Sequence, residues 1–162
     1  AHLSQDGDSV SIVTSKGQSI RFDEADVRAM GRTAAGVRGM TVKKGDVVVS
    51  AEMVPASAKK ASLLVIMNKG YGKKTDMEEY KIQGRGGSGI KTAEVTAKTG
   101  EIIGAKVLTG AEAEEEEIVV ISKKGQVIRT SSKEIPSLSR ATQGVRIMKM
   151  REGDSIANMV AL

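Results

Sequence analysis

The sequence predicts an all-β chain built from three similar four-stranded units. Three observations carry that prediction. A motif recurs: Gly31–Val37 reads GRTAAGV, Gly84–Ile90 reads GRGGSGI and Ser139–Val145 reads SRATQGV. Each has an arginine, three small or polar residues, a glycine and a β-branched residue. Each arginine also follows a Lys-Gly pair at one fixed offset, with Gly17, Gly70 and Gly125 standing 15 residues before Arg32, Arg85 and Arg140. The period is therefore 53 residues, then 55. Composition is the third observation. Of 162 residues 18 are glycine and 2 are proline, and the apolar residues are mainly Val, Ile, Met, Leu and Ala. β-Branched residues fit pleated strands and glycine supplies turns.

In the first unit, residues 9–54, the run SIVTS (11–15) reaches the Lys16–Gly17 turn and QSIRF (18–22) leaves it. The polar connection DEADVRAM has room for one helical turn at most. A strand is expected from Gly36 (GVRGMTV), then a second turn at Lys43–Asp46 and a last run, VVVSAEMV. The second unit, 62–108, repeats the order with LLVIMN, YGKKT, GIKTAEV, a turn at Lys98–Glu101 and IIGAKVL. The third, 116–162, does so with IVVIS, QVIRT, GVRIMKM, a turn at Arg151–Asp154 and SIANMVAL. Short runs bounded by glycine turns are strand signals. Twelve strands follow, four to a unit.

Four-stranded units at a period near 50 residues suggest blades of a propeller-like ring. Closed rings usually have about four to eight blades. Three blades are thus expected to form an open arc or half ring, either a dimer of two half rings or an arc with polar ends. Residues 1–8 carry no strand pattern and are expected to be a disordered tail. Ala111–Glu117 (AEAEEEE) is expected to be a solvated acidic linker that points away from any bound DNA.

Composition excludes several function classes. There is no cysteine, and His2 is the only histidine. No metal-ligand cluster or phosphate loop of Walker spacing is present. The expectation is a non-catalytic chain without a cofactor or metal, in which Tyr71 and Tyr80 are packing residues. The longest apolar runs, Leu63–Met67 and Ile118–Ile121, fall far short of the roughly 18 residues of a membrane span. The formal net charge of +5 favours anionic partners over a membrane.

The positive charges fall into columns when the units are superposed. Lys16, Lys69 and Lys124 precede the first turn glycine. Arg21, Lys74 and Arg129 lie five residues later. Arg32, Arg85 and Arg140 sit in the loops, and Arg38, Lys91 and Arg146 follow by six. An acidic column, Asp26, Glu79 and Glu134, accompanies them as local counter-charge. The basic columns hold 12 of the 25 Lys and Arg, at turns and loops where a blade's rim would be. A loop such as QGRGGSG (83–89) pairs one cation with uncovered backbone amides, a combination suited to phosphate oxygens. Solvation of repeated outer faces is the alternative for the columns, and a tight turn is the alternative for the glycines.

Three stretches then identify a family resemblance: GQSIRFDEADVRAMGRTAAGVRGM (17–40), NKGYGKKTDMEEY (68–80) and GQVIRTSSKEIPSLSRATQGVRIMKM (125–150). They closely resemble the C-terminal domains of DNA gyrase A subunits, and the resemblance covers essentially all of 9–162. It implies a β-pinwheel, a propeller-like ring that wraps duplex DNA around a basic rim. The ring commonly has six blades, and the three units here resemble the last three. Implied partners are double-stranded DNA, the gyrase B subunit, and the remainder of the gyrase A subunit. The implied setting is the bacterial cytoplasm and nucleoid. The implied role is support of supercoiling, with DNA cleavage and ATP hydrolysis in other domains.

The heptapeptide Gln83, Gly84, Arg85, Gly86, Gly87, Ser88 and Gly89 resembles the family's signature box for wrapping. It departs where Gly84 and Ser88 replace usual basic residues, and it lies in the middle unit rather than the first blade. The C-terminal domain of the topoisomerase IV A subunit is the nearest alternative family, and a propeller-type protein-interaction scaffold is the alternative function. Three aromatics are too few for a continuous single-strand stacking platform. Phosphate-directed duplex binding with little sequence preference is the expectation.

Overall fold

A computed structural model of the chain describes residues 2–110 and 115–162. The acidic linker's residues 111–114 therefore lie outside the described residues. Eleven strands appear among those described: β1 (Ser9–Thr14), β2 (Gln18–Asp23), β3 (Val48–Val54), β4 (Ala61–Met67), β5 (Tyr71–Asp76), β6 (Ile90–Lys91), β7 (Ile102–Thr109), β8 (Glu117–Ser122), β9 (Val127–Ser131), β10 (Val145–Arg146) and β11 (Ile156–Ala161). They form three antiparallel sheets, ordered β3-β1-β2-β6, β10-β5-β4-β7 and β11-β8-β9.

The blades differ from the sequence expectation in one respect. The strand beginning at each arginine-loop glycine does not complete its own sheet. Ile90–Lys91 of the second unit pairs with Gln18–Ser19 of the first, and Val145–Arg146 of the third pairs with Tyr71–Gly72 of the second. Each unit thus supplies the fourth strand of the sheet before it. That arrangement explains the counts. Among the described residues the third sheet has three strands, with none beyond β9, and the corresponding first-unit segment, Gly36–Val42, is not a strand.

The first-turn glycines make this exchange possible. Gly17 and Gly70 have φ of +86° and +88°, a region that L side chains rarely adopt. A Cβ at Gly17 would lie 2.6 Å from the Ala93 carbonyl oxygen, and one at Gly70 would lie 2.1 Å from that of Met148. The next unit's backbone runs directly over each turn.

Stacked sheets account for the apolar patterns. The central strand β4 reads ASLLVIM and is buried on both faces, as a continuous apolar run requires. Leu63, Val65 and Met67 pack toward the first sheet with Val13 and Val54. Leu64 and Ile66 pack toward the third with Ile118, Val120 and Ile156. Each fully buried side chain of this size contributes about 1.5–3 kcal/mol. Strand β1, SVSIVT, alternates instead, and its outer residues Val10 and Ile12 meet a small cluster of Ile20, Phe22 and Met40.

The connections are equally regular. One 3-10 turn follows the second strand of every unit, at Glu24–Asp26, Met77–Glu79 and Ser132–Glu134. Asp23, Asp76 and Ser131 cap them by accepting from Ala25, Glu78 and Lys133 amides. Such caps satisfy amides that a short helix leaves unpaired. The tail differs from expectation at its end. Asp8 is buried, and its carboxylate accepts from the Gln5 and Ala56 amides. No helix among the described residues is long and apolar enough to cross a membrane.

Candidate nucleic-acid interface

The loop arginines sit at the joints between units. Arg85 donates from Nε to the Asp26 carbonyl (2.9 Å) and from Nη1 to the Arg38 carbonyl (2.6 Å). Arg140 repeats the second contact one unit on, donating from Nη1 to the Lys91 carbonyl (3.0 Å). Its amide donates to Glu79 Oε2 (3.1 Å), and that carboxylate lies 3.9 Å from Nε. Arg38 and Lys91 occupy the same column, so the two contacts are equivalent. Arg32, whose unit follows no other described unit, is exposed.

Backbone bonds repeat the same joint. Thr41 N–H donates to the Gly87 carbonyl, and Glu94 N–H donates to that of Thr142. Gln83 N–H reaches the Arg21 carbonyl as Leu138 N–H reaches that of Lys74. The glycines of QGRGGSG therefore serve a joint as well as a turn. A Cβ at Gly89 would lie 2.3 Å from the Ser19 carbonyl oxygen.

The second joint carries a feature that no column revealed. Lys73 is wholly buried and donates from Nζ to the carbonyls of Ser139 and Arg140 (both 2.6 Å) and to Thr142 Oγ1 (3.1 Å). Burial, aided by the Arg140 charge and opposed by Glu79, lowers its pKa to about 8. The first and third units have Ile20 and Ile128 at this place. A lysine among isoleucines was the available sequence signal, and its neighbour Lys74, in register with the arginines, masked it.

The remaining columns divide by engagement. Arg21 is half-buried, bonding Ser9 Oγ within its own sheet and the Met77 and Tyr80 carbonyls across the first joint. Lys74 is half-buried too, and its backbone bonds Pro136 and Leu138. Arg129 is exposed and paired with Glu117. Lys69 and Lys124 are exposed, and each ammonium caps the neighbouring second turn at the Ala97 and Glu152 carbonyls. Lys16 holds the equivalent place beside Gly45. In the fourth column Arg38 is exposed, Lys91 pairs with Glu94 at 2.5 Å, and Arg146 bonds Tyr71 Oη at 3.3 Å. Lys98 and Arg146 both lie over the Tyr71 ring, 5.5 and 5.8 Å from its centre. Bonds from Arg146 and the two cations hold the Tyr71 hydroxyl below its ordinary pKa.

Two aspartates fix the basic turns. Asp46 accepts from Thr14, Ser15, Lys16 and Val47, and Asp154 accepts from Ser122, Lys124 and Ser155. Burial opposes the charge on Asp46, but the bonds from Thr14, Lys16, Ser15 and Val47 outweigh it and lower its pKa. Among the described residues no cluster of His, Asp or Glu could hold a metal ion. The chemistry offered is electrostatic. Eight column cations (Lys16, Arg32, Arg38, Lys69, Lys91, Lys124, Arg129 and Arg146) are exposed, and four (Arg21, Lys74, Arg85 and Arg140) are half-buried at joints.

Comparison with known proteins agrees with the repeat. A family model described as "DNA gyrase C-terminal domain, beta-propeller" matches residues 8–55, 61–109 and 116–162. The chain is 38% identical over 157 residues to the DNA gyrase A subunit of Staphylococcus epidermidis, a match covering 97% of the chain and 17% of that protein. The chain thus spans about a sixth of the length of its curated relatives. A solved gyrase A C-terminal domain superposes with a TM-score of 0.84 at 26% identity, covering 98% of this chain and 52% of that one. The C-terminal domain of a DNA topoisomerase IV superposes with a TM-score of 0.89 at 25% identity, covering 99% and 48%.

Proposed function

The chain belongs to the DNA gyrase C-terminal domain, beta-propeller family, and on that premise we propose that it binds and bends duplex DNA through phosphates along its basic turns. It reads little or no sequence. It acts as a non-catalytic wrapping module of a type IIA topoisomerase and supports supercoiling in the bacterial cytoplasm, on the nucleoid. Its partners in that role are the gyrase B subunit, with the rest of the gyrase A subunit. Copies of the chain pair as half rings.

The observation that carries this reading is the recurrence of exposed cations at equivalent turns. Lys16, Lys69 and Lys124 sit at the same turn of successive sheets, and Arg38, Lys91 and Arg146 recur beside the joints. A bound duplex would meet like charges at each blade in turn. Phosphate contacts position a protein on DNA without reading bases. Bending costs on the order of 1–6 kcal/mol for 20–30 base pairs through 40–90°, so several contacts are needed to offset it.

A salt titration tests the proposal. With about 6–10 phosphates engaged, affinity for a mixed-sequence duplex falls roughly 10³- to 10⁵-fold between about 50 and 200 mM salt. An affinity indifferent to salt would favour the protein-interaction scaffold instead.

A further inference from the structure

On the reading that the basic turns meet the DNA backbone, we propose that Tyr71, Lys98 and Arg146 form a phosphate site on the second sheet. The tyrosine holds the two cations around one backbone phosphate of duplex DNA. Lys98 belongs to none of the four basic columns, and Tyr71 looks in the sequence like a packing residue.

The site is assembled from two units. Tyr71 opens β5, directly after the Lys69–Gly70 turn. Lys98 lies in the second turn of the same unit, and Arg146 ends β10, which the third unit places beside Tyr71. The tyrosine is buried and packs in a cluster with Val13, Met67 and Ala93, so the core fixes its ring. Lys98 Nζ and the Arg146 guanidinium lie 5.5 and 5.8 Å from the ring centre, and Arg146 Nη2 donates to Tyr71 Oη at 3.3 Å. The negative face of an aromatic ring attracts a cation placed over it. One ring thus gathers two like charges, both on exposed side chains.

No acid balances them. Among the described residues neither Lys98 nor Arg146 bonds a carboxylate or a carbonyl. Lys69 and Lys124, by contrast, commit their ammonium groups to carbonyls of the second turns. Arg146 uses Nη2 alone and leaves the rest of its fork free. Two cations held close together repel, and an anion seated between them replaces that repulsion with attraction. A phosphodiester suits the pair, because its negative charge is shared between oxygens that a guanidinium fork and an ammonium can meet from different sides.

The first sheet shows the same place without the site. Lys91 faces Gln18 there as Arg146 faces Tyr71. Gln18 offers no ring, and Lys91 turns to Glu94 at 2.5 Å. The residue in Glu94's place beyond Arg146 is Lys149. Both differences, tyrosine for glutamine and lysine for glutamate, move the second sheet toward an anion. The hydroxyl reports the same field. Its bond from Arg146 and the charges of Arg146 and Lys98 hold Tyr71 below the ordinary tyrosine pKa, whereas burial raises that of Tyr80. Duplex DNA rather than a free anion is the occupant, because the site continues a line of exposed turn cations. Lys69 caps the Ala97 carbonyl, immediately beside Lys98.

Nuclear magnetic resonance of the whole chain, with carbon-labelled tyrosine, is the test. The chain has two tyrosines, and Tyr71→Phe assigns their signals. As pH rises, Tyr71 should ionise before Tyr80. With a mixed-sequence duplex bound at low salt, Tyr71 should ionise at a higher pH than in the free chain, because a phosphate between the cations cancels the charge that favours tyrosinate.

A salt series on the same duplex gives the second reading. Lys98→Gln should flatten the log-affinity slope against log salt by about one. Lys43→Gln removes the same charge from the equivalent turn on the first sheet and should stay close to wild type. Both lysines are exposed, so the fold is expected to be unchanged in each variant. Duplex binding that leaves the ionisation of Tyr71 unmoved, or equal slopes for the two variants, would overturn the site while the wider reading of the basic turns stands. Absence of duplex binding would overturn both. A shift of Tyr71 with inorganic phosphate and none with the duplex would assign the site to a free anion and overturn the proposal as well.

Discussion

Arg85 ties its loop to two carbonyls of the preceding unit, which gives the guanidinium a structural duty beside any contact with DNA. Charge-assisted hydrogen bonds contribute about 1.5–3 kcal/mol each, and half-exposure places these at the low end. Arg85→Ala should therefore lower stability by about 3 kcal/mol in denaturant unfolding. Arg85→Lys should recover little of it, because an ammonium cannot reproduce the planar fork that reaches both Asp26 and Arg38. Lys73 provides a pH test. Its folded pKa is about 8 against an ordinary 10.5, so between those values the unfolded chain binds more protons. Stability then rises with pH across that window. The difference in unfolding free energy between wild type and Lys73→Ile should shift in favour of wild type from about pH 8 to 10.5, and parallel pH curves would contradict this. Neither residue's partner was legible in the sequence. The arginine column was visible, but its ends lie about 47 and 59 residues apart in the chain, beyond the reach of local patterns.

At the scale of strands, the sequence announced most of what formed. Glycine turns bounded the hairpins, and the unbroken LLVIM marked the strand covered on both faces. The exchange of the fourth strand was not legible, for a physical reason. In a repeat, pairing a segment with its own unit and pairing it with the previous one place equivalent residues opposite each other, so composition cannot distinguish them. Only the pairings themselves can, Ile90–Lys91 lying beside Gln18–Ser19 and Val145–Arg146 beside Tyr71–Gly72. The exchange predicts an asymmetry between glycines that look alike in sequence. Ala at Gly70 or Gly125 incurs the same positive-φ strain, about 1–2 kcal/mol. At Gly70 the added Cβ would also press on the Met148 carbonyl at 2.1 Å, while at Gly125 it meets nothing within 4 Å. Gly70→Ala should therefore be the more destabilising by about 1–3 kcal/mol, the usual size of overpacking. Thermal or denaturant unfolding of the two variants checks it.

For the whole molecule, the net charge of +5 would by itself attract any polyanion, so DNA binding alone does not establish the role of the columns. The structure sharpens the distinction. Four of the twelve column cations are half-buried at joints, and removing them would mix lost charge with a loosened fold. Lys16, Lys69 and Lys124 are exposed at equivalent turns, which makes them the appropriate set to change. The most direct measurement compares two triple variants across a salt series, one with Lys16, Lys69 and Lys124 changed to Gln and one with the exposed Lys59, Lys60 and Lys133 changed to Gln. Both lose three charges, so net charge is matched. The phosphate-binding account predicts that the first variant's log-affinity slope against log salt flattens by about three, roughly one for each cation that touches a phosphate, on every duplex sequence alike, with the second variant close to wild type. Equal flattening in the two variants would contradict it, leaving net charge as the whole source of binding and the repeated turns without a part in it.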